Sequence, residues 1–127
     1  MLRLASERDS ISVVNDQIGT PTNAVDLAEC LVKIIYHTEL IKAQQSTTDI
    51  FGIYNFSNEG QCSWYDFAKE IFKINNIEID LKPIPTSTFP TPAKRPKYSV
   101  LDKTKIKSSF GSEIKNWEES LKRTNSI

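Results

Sequence analysis

Glycine is scarce: four residues in 127, Gly19, Gly52, Gly60 and Gly111, with no two near each other. That spacing excludes both the glycine-rich dinucleotide turn and the lysine-bearing phosphate loop of nucleotide hydrolases. One histidine, His37, is too few for a histidine-based zinc site, and Cys30 and Cys62 form neither a disulfide framework nor a metal spacing. Two isolated thiols suit a reducing compartment, so a cytoplasmic location is expected. No apolar run approaches the roughly 18 residues of a membrane span, and the opening MLRLASERDSIS lacks the apolar core of a secretory signal. Sixteen basic residues balance sixteen acidic ones, so no field of one sign draws nucleic acid or a membrane surface. No Ser or Cys stands in a nucleophile elbow. These absences leave the chain with no catalytic residue, no cofactor-binding residue and no metal ligand of its own.

What is present is an ordinary globular composition, 39% hydrophobic and 25% charged, too apolar for disorder. Residues 1–10 read as the end of a helix, and Ser12–Val14 as a short strand. A polar turn follows, Asn15 to Thr22, with Gly19 and Pro21. A long helix is predicted from about Asn23 to Lys42, with Leu27, Ala28, Leu31, Ile34 and Ile35 on an inward face. Gln44–Thr48 reads as a solvated loop. Gly52–Ser57 (GIYNFS) is nearly continuous in apolar character, as in a strand buried on both faces. Ser63-Trp64-Tyr65-Asp66 forms a capping box with Asp in the acidic position, opening a helix to about Asn75. Trp64, Phe67, Ala68, Ile71 and Phe72 are expected to face inward there. Ile77, Ile79 and Leu81 alternate with acids as a half-exposed strand. Residues 82–98 then form a stiff loop with five of the six prolines. Lys82, Lys94, Arg95 and Lys97 lie between Asp80 and Asp102 with no acid among them. Asp102 is expected to cap a short helix through Ile106. Asn116-Trp117-Glu118-Glu119 reads as a capping box for a last helix, so residues 103–124 carry the terminal helices; 124–127 are expected to fray.

Four segments in order carry a specific resemblance. They are Asn15-Asp16-Gln17-Ile18-Gly19-Thr20-Pro21-Thr22 with Asp26-Leu27-Ala28; Gly52-Ile53-Tyr54-Asn55; Ser63-Trp64-Tyr65-Asp66-Phe67-Ala68; and Phe89 to Pro96 with Tyr98-Ser99-Val100-Leu101-Asp102. Together they resemble the C-terminal part of the dTDP-4-dehydrorhamnose reductase family, within the extended short-chain dehydrogenase/reductase superfamily. The resemblance implies an α/β fold: a single C-terminal substrate-binding domain over 1–127, with an N-terminal Rossmann domain missing. It implies reduction of dTDP-6-deoxy-L-lyxo-4-hexulose to dTDP-L-rhamnose, with NADPH or NADH bound by that missing domain. The expected partners are the dTDP-sugar, the chain's own Rossmann domain and a second copy in a homodimer. Of the tyrosines only Tyr65 has Lys four residues on, Lys69, and the resemblance puts that pair on a helix outside the catalytic site. The alternatives are a regulatory subunit of the same fold, like the methionine adenosyltransferase beta subunit, or another sugar-nucleotide epimerase or dehydratase.

Candidate substrate-binding residues are Arg95, Pro96, Gln17, Gly19 and Thr20. A guanidinium on a proline-stiffened loop suits bidentate contact with a diphosphate. The plainer reading is a solvated Arg95 packing its stem on Tyr98. Related epimerases often carry an Arg seven residues before the residue matching Asp26; here Gly19 stands there, so Gln17, Thr20 or a backbone N–H would replace that contact. The plainer reading of this stretch is a turn and helix cap. Trp64 and Tyr65 either stack on a base or sugar or pack as core. His37 reads as a surface or satisfied histidine near a helix end, and the two cysteines as ordinary small apolar side chains.

Overall fold

The computed structural model describes residues 1–44, 50–89 and 91–124. The elements run α1 (Leu2–Glu7), β1 (Ser10–Val14), β2 (Ile18–Gly19), α2 (Ala24–Ala43), β3 (Cys62–Ser63), α3 (Trp64–Ile74), β4 (Asp80–Ile84), α4 (Thr104–Phe110) and α5 (Trp117–Thr124). A single 3-10 turn, Thr86–Thr88, follows β4.

β1 and β4 pair in parallel, with Ile11 beside Leu81 and Val13 beside Pro83. A parallel pair needs a long crossover, and α2 and α3 lie within it. α3 lies on this ribbon because its apolar residues recur with the helical period. Ala68 and Phe72 are buried against Ile11 and Val13, with Leu4, Tyr65, Ile71, Ile77 and Ile79 around them. The start of α3 is fixed locally. Ser63 Oγ accepts from Asp66 N at 3.0 Å and Asp66 Oδ2 accepts from Ser63 N at 3.0 Å, the reciprocal box that the sequence spells.

Several sequence expectations are corrected. Gly52–Ser57 is not a regular strand, and Ile53 is 88% exposed. A strand needs a neighbour for its ladder, and among the described residues none runs beside it. Lys82, Pro83 and Ile84 belong to β4, so the loop begins at Pro85, not at residue 82. Proline is tolerated there because β4 is an edge, with one side free of ladder bonds. Trp64 faces outward, 55% exposed. The inward face read for α2 is turned in part: Leu27 and Ile34 are half-buried, but Ala28, Leu31 and Ile35 are exposed, whereas Asp26 and Cys30 are buried. α2 rests on α4, and His37 meets Phe110 edge-on at 5.6 Å between ring centroids.

Asp102 does serve the α4 terminus, its Oδ1 accepting from Thr104 N at 2.8 Å, but the helix runs past Ile106 to Phe110. Gly111, with φ +58°, ends it in the left-handed conformation that glycine favours. At α5, Asn116 Oδ1 accepts from Glu118 N at 3.0 Å. The loop read at Gln44–Thr48 falls, beyond Gln44, outside the described residues, as does fraying beyond Thr124.

Gly60 has φ +83°, and a Cβ there would come 2.9 Å from Asn116 Nδ2 and 3.0 Å from Trp117 Cδ1. Gly60→Ala combines left-handed strain with a clash, so it should destabilise the fold by more than about 1 kcal/mol. A melting temperature equal to the parent's would show that the Glu59–Gln61 turn relaxes freely.

Candidate functional site

A cavity of about 320 Å³ opens between the β2 region, the N-terminus of α3 and the return of the proline loop. Its walls include Gln17, Gly19, Thr20, Arg95 and Pro96. These are all five residues singled out in the sequence, drawn from two segments more than seventy positions apart. The rest of the lining is Ile18, Pro21, Thr22, Ser57, Cys62, Ser63, Trp64, Phe67, Ser99 and Leu101. Trp64 is a stacking candidate in the sequence; Ser99 and Leu101 carry no signal beyond the motif around them.

Local chemistry shapes each wall. β2 pairs antiparallel with β3, Ile18 opposite Ser63 and Gly19 opposite Cys62. On its other side the returning loop runs alongside: Ile18 N donates to Lys97 O at 2.8 Å, and Ser99 N donates to Ile18 O at 2.9 Å. A Cβ on Gly19 would lie 3.0 Å from Ser99 Oγ, so glycine permits this close approach. The capping box places Trp64 as the first residue of α3, with its indole beside the cavity mouth. Thr20 Oγ1 donates to Gly60 O at 2.8 Å.

The proline loop is anchored at both ends. At its start, Asp16 Oδ1 accepts from Thr86 N at 2.8 Å and also from Thr86 Oγ1, and Gln17 Nε2 donates to Thr86 Oγ1 at 3.0 Å. The side-chain hydrogen bond from Thr86 is the main reason the Asp16 carboxyl titrates below its usual value. At its end stands the Lys97–Ser99 pairing with Ile18. Between these anchors, Thr91 to Pro96 are exposed. Arg95 is therefore a solvent-facing cation held near the cavity. Burial, with Asp66 and Glu118 adding their charge, pushes the Cys62 thiol up to about 11. It is a neutral thiol at pH 7 and is not a nucleophile in the cavity wall.

Behind the cavity lies a polar network that sequence reading missed. Asn58 is fully buried and Asp26 nearly so. Ser120 Oγ donates to Asp26 Oδ2, and Arg123 bridges α5 to Asp26 and Glu29 of α2. Burial works to raise the Asp26 carboxyl, but hydrogen bonds from Ser120 and Asn58 and the charges of Arg123 and Lys115 hold it below its usual value. The members lie as far as 97 positions apart, so no local pattern signals them.

Among the described residues no cluster of three or more His, Cys, Asp or Glu is placed to hold a metal ion, and no helix is long and apolar enough to cross a membrane.

Known proteins share this chain's sequence and fold. The family model described as the RmlD substrate binding domain matches residues 1–126. The dTDP-4-dehydrorhamnose reductase of Aggregatibacter actinomycetemcomitans is 42% identical over 96% of this chain and 42% of its own length. That of Escherichia coli K12 is 35% identical over 97% of this chain and 41% of its length. Among solved structures, a dTDP-4-dehydrorhamnose reductase from Bacillus anthracis in complex with NADP superposes with a TM-score of 0.83 at 38% identity, over 96% of this chain and 40% of that one. A Clostridium acetobutylicum reductase gives 0.85 at 39%, over 98% and 41%. The chain thus spans about two-fifths of the length of these relatives. A match over almost every residue, together with the shared fold, shows that the chain belongs to the RmlD substrate binding domain family.

Proposed function

We propose that this chain is the substrate-side domain, over 1–127, of a dTDP-4-dehydrorhamnose reductase, and that the cavity receives a dTDP-sugar. The observation that carries the reading is the convergence of Gln17, Gly19, Thr20, Arg95 and Pro96 on one cavity. Arg95 supplies a planar cation for the diphosphate. Trp64 and Phe67 offer aromatic surface, and Thr20 and Ser99 offer hydroxyls, the mixture of apolar wall and few polar groups that suits a small ligand. The task of these residues is to bind and orient the substrate.

The Bacillus anthracis relative holds NADP, and the reading takes NADPH or NADH as the hydride source. This chain does not fit that group. The turn leaving β1 is Asn15-Asp16-Gln17, without the glycines that let backbone approach a pyrophosphate, and it leads into β2, not a helix. The cofactor is therefore assigned to a Rossmann domain outside this chain. The exposed apolar arc of α2, with Leu31, Val32, Ile35 and Tyr36 between 51% and 68% exposed, together with Ile53, is proposed as the surface that meets it. A homodimer of the complete polypeptide in the cytoplasm completes the proposal.

Two measurements test it. A complete polypeptide carrying this chain should bind dTDP in a calorimetric titration and oxidise NAD(P)H only with the 4-keto sugar nucleotide. The isolated 127-residue chain should oxidise none at any protein concentration. No binding of dTDP by the complete polypeptide overturns the substrate assignment. Turnover by the isolated chain overturns the division of labour.

A further inference from the structure

The two walls of the cavity are joined at the front by β2 and β3. They are joined again behind it, by the buried Asn58 side chain and by an exposed Thr20–Gly60 hydrogen bond. Asn58 is 0% exposed. Its Oδ1 accepts from Asn23 N at 2.7 Å. Its Nδ2 faces Asp26 Oδ2 at 2.6 Å, Ser120 Oγ at 3.0 Å and Lys115 O at 3.2 Å. The opposite amide orientation would set an NH2 against the Asn23 N–H and an oxygen against a carboxylate, so only this one is satisfied. The amide is thus locked on both sides.

Its neighbours are cavity residues. Thr22 precedes Asn23 and lines one wall; Ser57 precedes Asn58 and lines the other. The Asn23 N–H is also the point where the chain turns into α2, since Asn23 Oδ1 caps that helix through Val25 N at 2.9 Å. Asp26, one turn into α2, is itself held by Ser120 and Arg123 of α5. Loosening the amide weakens the tie between the Thr20–Asn23 wall and the Ser57–Gly60 wall: of the described direct hydrogen bonds between them only the exposed Thr20–Gly60 contact would remain, with α5 bridging indirectly from Asn23 to Glu59.

We propose that Asn58 is a positioning residue for the cavity ligand, setting the separation of the two walls through Asn23 N–H while Asp26 and Ser120 orient its amide. It touches no ligand and acts through Thr22 and Ser57. The proposal rests on the assignment of the cavity to a dTDP-sugar.

The test is carried out on the complete polypeptide with dTDP as probe, at a temperature well below the melting point of each variant. Asn58→Ala should weaken dTDP binding roughly tenfold, less than the hundredfold that a misplacement of about 1 Å can cost. Ser120→Ala, which removes only one of the amide's orienting partners, should weaken it about threefold, in proportion to that smaller loss. In both, the Michaelis constant of the sugar nucleotide rises while that of the cofactor and the turnover number at saturation stay at parent values. Phe72→Leu, a core change remote from the cavity, serves as a control that lowers melting temperature without weakening binding. If Asn58→Ala does not fold, Ser120→Ala alone decides. Variants that lose melting temperature but keep dTDP affinity within the error of the parent's overturn the proposal, as does equal weakening by Phe72→Leu. Failure of the parent itself to bind dTDP is a different outcome: it overturns the cavity assignment and this inference with it.

Discussion

Arg95→Ala should raise the Michaelis constant for the sugar nucleotide about ten- to a hundredfold in the complete polypeptide. A hydrogen bond to a charged group contributes roughly 1.5–3 kcal/mol, which is that factor in affinity. The loop makes the upper half of the range reachable. It is anchored at Thr86 by Asp16 and Gln17 and at Lys97–Ser99 by Ile18, so little freedom remains to be lost when the guanidinium meets a phosphate. Cofactor affinity should not change, since no residue of this chain is assigned to the dinucleotide. Arg95→Lys should recover part of the loss, because an ammonium keeps the charge but not the planar fork. Steady-state kinetics with both substrates varied separates these effects. A sugar-nucleotide constant within about twofold of the parent's for Arg95→Ala would make the loop a structural strap and remove Arg95 from the site.

The parts of this architecture that were legible are those written within a few residues. The Ser63–Asp66 box and the α2 start at Asn23 need only neighbours two or three positions away, and each appears at its expected place. The placement of Gln17, Gly19, Thr20, Arg95 and Pro96 around one cavity was legible only through family motifs, because periodicity says nothing about which loops meet. Orientation relative to absent neighbours was not legible. The α2 pattern of Leu31 and Ile35 is a true apolar face, but burial follows from what covers it, and in this chain it faces solvent. The same holds for Gly52–Ser57, whose apolar run reads as a buried strand although no described strand lies beside it. The Asn58 network was illegible for the opposite reason: its buried members are polar residues that local rules assign to turns and caps. Only tertiary contact shows that Asp26 is more than the first-turn acid favoured by the α2 dipole.

That carboxylate sets the second large effect. Asp26→Ala should destabilise the chain by about 3 kcal/mol, the low end for breaking a buried ion pair from one side. The low end applies because Arg123, the partner left behind, is 35% exposed and can be rehydrated, whereas the Asp26 side chain is only 6% exposed. Asn58 Nδ2 and Ser120 Oγ lose an acceptor at the same time. For a domain of this size that corresponds to a fall of roughly 10–15 °C in melting temperature. The pH dependence has a fixed sign. The folded-state carboxyl titrates below its ordinary value of 3.8, so the unfolded chain takes up the proton first as pH falls. The stabilisation is therefore complete well above pH 3.8 and drains away as pH drops through the unfolded value and then the folded one. Asp16, Glu59 and Asp102 are shifted in the same direction and steepen the same acid limb. Asp26→Asn keeps the shape but cannot titrate, so its melting temperature should start lower at neutral pH and converge toward the parent's as pH falls through the acid range below about pH 4. Parallel melting curves for parent and Asp26→Asn across that window, with no convergence, would mean that the Asp26 carboxylate is not stabilised by Ser120, Asn58 and Arg123 in the folded protein.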